Sequence, residues 1–192
     1  MHSSFKIALG AVLISSALGV SARSAKDVVL DRVAAPVVSA TPVSAPAQSD
    51  AMAVSVLVET PDGVLMPRST QELFRTGDRF RIKVLSARDG TVQIYNTNPR
   101  GETKVDPIWK GEVKAGLETI TARMRLEGNS GEDQLHIVLV PQQNTGVLAW
   151  MMGLIKGTNK DVRLDTQSTP TGTYVVNDNG QGLVTTVRIS HL

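Results

Sequence analysis

From Met52 to the end of the chain, apolar and polar residues alternate in short runs separated by turn residues, the period-two signature of antiparallel strands. Residues 54–59 form the first run. The dense turn signal Pro61-Asp62-Gly63 follows, and Val64, Leu65 and Met66 resume the run, so a first hairpin is expected here. Residues 69–74 open with a cap-like serine and predict one helical turn, stopped by Gly77 and Asp78. Residues 79–87 put Phe80, Ile82 and Val84 on one face and Arg79, Arg81 and Lys83 on the other, the pattern of a half-buried strand. Arg88-Asp89-Gly90 leads into residues 91–97, with Val92, Ile94 and Asn96 on one face. The Asp-Gly pair predicts a second hairpin, with Gly90 at a position needing positive φ.

Residues 103–116 are less regular and contain Pro107 and Trp109. Residues 117–126 alternate again, with Ile120, Ala122, Met124 and Leu126 opposite Thr119, Thr121, Arg123 and Arg125. Residues 134–140 are rich enough in Leu, Ile and Val to form a central strand covered on both faces. The run VLAWMMGLIK, residues 147–156, breaks the pattern: it is apolar and unbranched in its middle, and predicts two to three helical turns ended by Gly157-Thr158-Asn159. Residues 173–176 and 183–192 read as a closing hairpin around the Asn/Asp/Gly loop 177–182. Roughly seven short strands with regularly spaced turns make the fold mainly β, an antiparallel β-sandwich with a short helical insertion. A small closed barrel is the alternative.

The N-terminus reads as an address. A segment with one lysine, Lys6, precedes an apolar run over residues 7–20, and Val20-Ser21-Ala22 supplies small residues for a signal peptidase. The run is shorter than the roughly 20 residues a membrane-crossing helix needs. The expected organisation is a signal peptide at 1–22, a disordered Pro/Ala/Ser-rich spacer at 23–51 and the sandwich domain at 52–192. Cleavage after Ala25 is a second option, and an uncleaved anchor is the competing reading. The protein is therefore expected in the periplasm or secreted, touching the membrane only transiently through its signal peptide.

Composition removes several chemistries. The chain has no cysteine, which excludes disulfides, thiolate metal sites, cysteine nucleophiles and a lipidated cysteine after the signal. Twenty Lys and Arg stand against 18 Asp and Glu, and the two signs interleave, so no basic face is set aside for nucleic acid. Beyond the signal segment only His136 and His191 remain, without metal-ligand spacing. His136, inside an apolar strand, reads as a hydrogen-bonded or surface-facing histidine. No Gly-x-Ser-x-Gly elbow, Ser-x-x-Lys pair or phosphate-binding loop occurs. Glu102, Asp106 and Glu112 read as solvated loop charges, and the loop at 177–182 lacks the alternating acidic ligands of a calcium site. No catalytic residue, metal or cofactor is expected, and the chain is expected not to be an enzyme.

The stretch Phe74-Arg75-Thr76-Gly77-Asp78-Arg79-Phe80-Arg81-Ile82, with Gly90-Thr91-Val92-Gln93-Ile94-Tyr95-Asn96 after it, resembles a bacterial domain-of-unknown-function family with an F-x-x-G-D motif. Members of that family are often attached to caspase-like peptidases or serine/threonine kinases. Ala115-Gly116 and the strand near residues 135–140 fall where the family has matching elements. The resemblance implies an immunoglobulin-like sandwich with an accessory role and transfers no catalytic residue.

Trp150, Met151 and Met152, joined by Trp109, are the candidate partner-binding residues, because aromatic and Met side chains are enriched in interface cores. The expected function is an exported domain that binds or scaffolds another cell-envelope protein, as an accessory to a secretion or surface assembly. A carbohydrate- or peptidoglycan-binding module is the alternative; two Trp, two Tyr and three Phe supply few stacking platforms for it.

Overall fold

The computed structural model describes residues 50–140, 146–156, 164–177 and 180–192. The expected signal peptide and nearly all of the spacer lie outside these residues.

Among the described residues, eleven strands form two antiparallel sheets. β1 (Asp50–Glu59), β2 (Leu65–Pro67), β3 (Arg79–Ser86), β6 (Glu118–Ile120), β7 (Met124–Arg125), β9 (Leu164–Thr169) and β10 (Gly172–Asn177) make the first sheet, with the main order β6-β3-β1-β10-β9. β4 (Gly90–Thr97), β5 (Trp109–Val113), β8 (Gly131–Leu139) and β11 (Leu183–His191) make the second, in the order β11-β8-β4-β5. The one helix among the described residues, α1 (Val147–Ile155), follows β8. Taking β1 as strand A, the sheets read E-B-A and G-F-C-C′, the strand order of an immunoglobulin-like sandwich. The α1 segment and the β9–β10 hairpin are inserted between strands F and G, and the hairpin extends the first sheet beyond β1.

Period-two alternation decides which side chains meet between the sheets. Met52, Val54 and Val56 of β1, Phe80, Ile82 and Val84 of β3, and Val92 and Ile94 of β4 face inward with Leu135, Ile137 and Leu139 of β8. Each such side chain contributes about 1.5–3 kcal/mol when taken out of water. β8 lies between β11 and β4 and is buried on both faces, as its composition predicts.

Two expected hairpins are not formed. β3 pairs with β1 and β6, whereas β4 pairs with β5 and β8, so Arg88-Asp89-Gly90 carries the chain from one sheet to the other. Asp89 spends its carboxylate on Ala115 N (2.8 Å) and Lys114 Nζ (2.8 Å), and Gly90 has no positive φ. Gly77, by contrast, does turn with φ 96° ahead of β3. β10 and β11 likewise belong to different sheets; β10 lies between β1 and β9.

Residues 69–74 form a hydrogen-bonded turn, Glu72 N to Ser69 O, and no helix. The run 117–126 splits into β6 and β7 because Thr121 turns inward. Its hydroxyl accepts from Ile82 N (3.0 Å), and the inward positions step from Thr121 to Met124. β1 begins at Asp50, two residues ahead of the expected domain boundary.

Candidate functional site

Each outward position of the second sheet follows from the same alternation. Tyr95 of β4, Val138 of β8 and Val184 of β11 point away from the main core, and α1 lies over them. Val147, Met151 and Leu154 share one face of the helix at i, i+4, i+7 spacing, and Met151 is the residue driven fully into the contact. The Tyr95 hydroxyl escapes isolation by donating to Gln93 Oε1 (2.6 Å). Burial first, and the nearby Asp106 carboxylate second, hold its pKa above the ordinary tyrosine value.

α1 contains no charged residue, begins at Gly146 without a side-chain cap, and closes with Lys156 N on Met152 O (3.0 Å). Leu148, Trp150, Met152 and Leu154 are half-buried, while Ala149 and Ile155 are exposed. The four predicted partner-binding residues therefore do not form one patch. Met151 is a fully buried anchor, so its side chain is not presented to a partner. Trp109 pairs with Ile94 and packs, half-buried, against the main core on the opposite face of the same sheet from Trp150. Its ring lies where a Cβ on residue 111 would sit, 2.5 Å away, which accounts for the glycine there. On the α1 side, Trp150 and Met152 remain as the partly exposed members of the predicted site.

Beyond the edge of α1 the outer face of the second sheet turns polar. His136 is buried between Thr97 Oγ1 (2.8 Å from Nε2) and Thr186 Oγ1 (2.9 Å from Nδ1). Burial, and secondarily the Arg188 guanidinium, lower its pKa. Both ring nitrogens meet hydroxyls, so no carboxylate orients this imidazole.

A second histidine cluster closes one end of the sandwich. His191 Nε2 lies 2.9 Å from Asp133 Oδ2, His191 Nδ1 lies 2.9 Å from Thr76 Oγ1, and Asp133 Oδ1 accepts from Asn96 Nδ2 (3.0 Å). Hydroxyl, imidazole and carboxylate stand in line as in an acyl-transfer relay. The surroundings differ from such a site. His191 is 1% exposed, and the backbone N–H groups of Thr76, Gly77 and Asp78 are spent on Leu192, Leu126 and Arg75 carbonyls. None of these three N–H groups is left to hold an oxyanion. The geometry instead pins the Phe74–Thr76 segment onto the end of β11. A cavity of about 320 Å³ lies beside this cluster, with Asn96 and Asp133 on one side and Phe80, Met124 and Leu126 on the other.

The loop carboxylates do not converge on one another through hydrogen bonds. Glu102 accepts from Asn98 Nδ2 (2.8 Å), and Glu112 accepts from the Thr91 hydroxyl (2.8 Å). Of the loop at 177–182, residues 178 and 179 lie outside the described residues; Asn177 Nδ2 donates to the Gly182 carbonyl. Among the described residues, no group of three His, Asp or Glu is placed to hold a metal ion, and no helix is long and apolar enough to cross a membrane.

Sequence reasoning missed the His191–Asp133–Thr76 cluster. A signal existed: His191 and Asp133 occupy inward positions of strands whose other inward residues are mostly aliphatic. Compared with known proteins, the chain matches no family model, no curated protein sequence and no solved structure.

Proposed function

We propose that the domain is a noncatalytic binding module that docks another cell-envelope protein through the outward side of α1. The observation that carries this reading is the helix itself: nine residues without a charge lie on the outside of a filled sandwich, and Met151 alone of them is fully buried. A helix whose only task was to cover Tyr95, Val138 and Val184 would place polar residues on its far side. Here Ala149 and Ile155 stand exposed, flanked by half-exposed Trp150 and Met152. Tryptophan and methionine are the side chains that interfaces favour, the one as a rigid anchor and the other as an adaptable filler. The signal-like N-terminus and the accessory role implied by the F-x-x-G-D resemblance supply the compartment and kind of partner in this proposal.

The test is crosslinking capture in cells with the full chain, comparing wild type with Trp150→Ala and Met152→Ala. Folding of each variant is checked by circular dichroism and thermal melting. Met151 is left alone, since truncating it would open a cavity beneath the helix. Wild type is expected to capture a defined envelope protein, and Trp150→Ala to weaken that capture by more than about tenfold, as a hot-spot truncation does. A folded Trp150→Ala variant with undiminished capture would end the proposal.

A further inference from the structure

Two neighbours fix how the backbone of β11 is turned. Phe74 N donates to the Ser190 carbonyl (2.9 Å) and Leu192 N donates to the Phe74 carbonyl (3.2 Å), so even-numbered residues of β11 aim their N–H and C=O away from β8. At Thr186 and Arg188 these groups have no backbone partner among the described residues. The unpaired stretch is bounded at both ends. Gly182 N is held by Asp50 Oδ2 (2.6 Å), and from Ser190 onward the edge is taken by Phe74–Thr76. Between them there is room for about four to five extended residues at roughly 3.3 Å each.

A groove of about 210 Å³ runs along this stretch. It exists because the far edge of β1 is divided: β10 covers residues 50–54 and β2 covers residues 57–59, leaving Ser55 and Val56 between them. Ser55 lines the groove with Arg68 and Gln71 on one side and Thr171 of the β9–β10 turn and Thr173 of β10 on the other. The free edge is thus recessed. A folded domain bringing its own sheet edge would meet those walls first, whereas a single extended chain fits the roughly 4.8 Å spacing of an added strand.

The charges lining the groove are all of one sign: Arg68 and Arg188 border it, and no carboxylate does. Both guanidiniums have acidic neighbours outside it, Arg68 with Glu72 (3.3 Å) and Asp78 (3.5 Å), and Arg188 with Glu132 (3.5 Å). The exposed Arg188 pair is worth little at this length, whereas Arg68, which also donates to the Leu73 carbonyl (2.8 Å) and lies over the Phe74 ring, stands as a fixed positive charge at the groove.

We infer that β11 recruits a short acidic, extended segment of a partner protein by strand addition, its backbone pairing with Thr186 and Arg188 and its carboxylates meeting Arg68 and Arg188. This surface is separate from the outward side of α1, and its failure or success is independent of the helix proposal.

The experiment titrates the full chain into a fluorescein-labelled, capped heptapeptide of alternating glutamate and valine, read by fluorescence polarisation. Two control peptides carry lysine for glutamate, or N-methyl groups on alternate backbone amides. Saturable binding of the glutamate peptide is expected, weakened at least about tenfold by either control and by Arg188→Glu, with slower amide exchange at Thr186 and Arg188 in the complex. Trp150→Ala is expected to bind the peptide as wild type does. Absence of saturable binding, equal affinity for the three peptides, or unchanged affinity of Arg188→Glu with an unaltered melting temperature would each overturn the inference. So would dimerisation of the chain that excludes the peptide, which would assign the edge to a second copy.

Discussion

At one end of the sandwich a buried carboxylate meets a guanidinium; at the other, a buried carboxylate meets an imidazole. Asp50, at the start of β1, pairs with Arg88 in the β3–β4 crossover. The same carboxylate accepts from Gly182 N, between β10 and β11, while Arg88 Nη2 donates to the Val140 carbonyl at the end of β8 (3.1 Å). The fanned donors of arginine and the two oxygens of the carboxylate let this one pair join both sheets and both crossovers at that end. The Asp133–His191 pair has a narrower reach. Asn96, Asp133 and His191 belong to the same sheet, and the remaining partner, Thr76, lies in the segment laid on β11. The first pair holds the two layers together, and the second fastens a loop to one of them.

This contrast orders the consequences of breaking each. Arg88→Met leaves Asp50 buried without its counter-charge, and is expected to lower global stability by about 3–5 kcal/mol. Urea unfolding measures this, and a loss below about 1 kcal/mol would show that the layers do not depend on the pair. Asp133→Asn is expected to lower stability less, by about 1–3 kcal/mol, through weakened bonds to His191 and Asn96. Its distinguishing sign is local: amide exchange at Phe74 and Thr76 should rise well beyond the global change. Uniform acceleration throughout the domain would erase the distinction between the two ends.

The smallest effect comes from a histidine at neither end. His136 has a folded-state pKa below its ordinary value of about 6.5, so the unfolded chain binds its proton first as pH falls. Its contribution is complete above that value and erodes as pH drops below it. The urea midpoint should therefore fall between pH 7.5 and 5.5, and His136→Gln should have a flatter profile in this window even though it starts lower. Equal slopes would mean that the imidazole is not what titrates.

In the longer strands alternation marked which side chains face inward, but not which strand lies alongside; over residues 117–126 it failed even at that, since Thr121 is inward and Ile120 exposed. Phe80, Ile82, Val84, Val92 and Ile94 are all buried as their spacing predicts, yet β3 and β4 are on different sheets. An Asp-Gly turn has the same signature whether the chain reverses within a sheet or crosses to the next. β9, with the sequence LDTQST, escaped notice because an edge strand that is largely solvated has no apolar alternation to reveal it. β8 was legible because both its faces are covered, which demands a continuous aliphatic run. Of the candidate site, the helix was visible as a break in the strand pattern. That Trp109 and Trp150 lie on opposite faces of one sheet was not visible, since it depends on the register of β5 against β4. The groove beside β11 was hidden for a similar reason: it arises where β2 and β10 fail to meet along β1.

The pairing of β1 with β10 also sets the order in which the domain can close. β1 finds one neighbour, β3, soon after it, but its other long neighbour ends at Asn177, and β8 waits for β11. A chain emerging from its N-terminus therefore completes its first sheet only with β10 and its second only with β11. Contacts this distant in sequence make for slow folding. The same delay keeps the early strands from closing on their own, because the first sheet still lacks β10 and the second still lacks β11 when both inner faces of the core are already present.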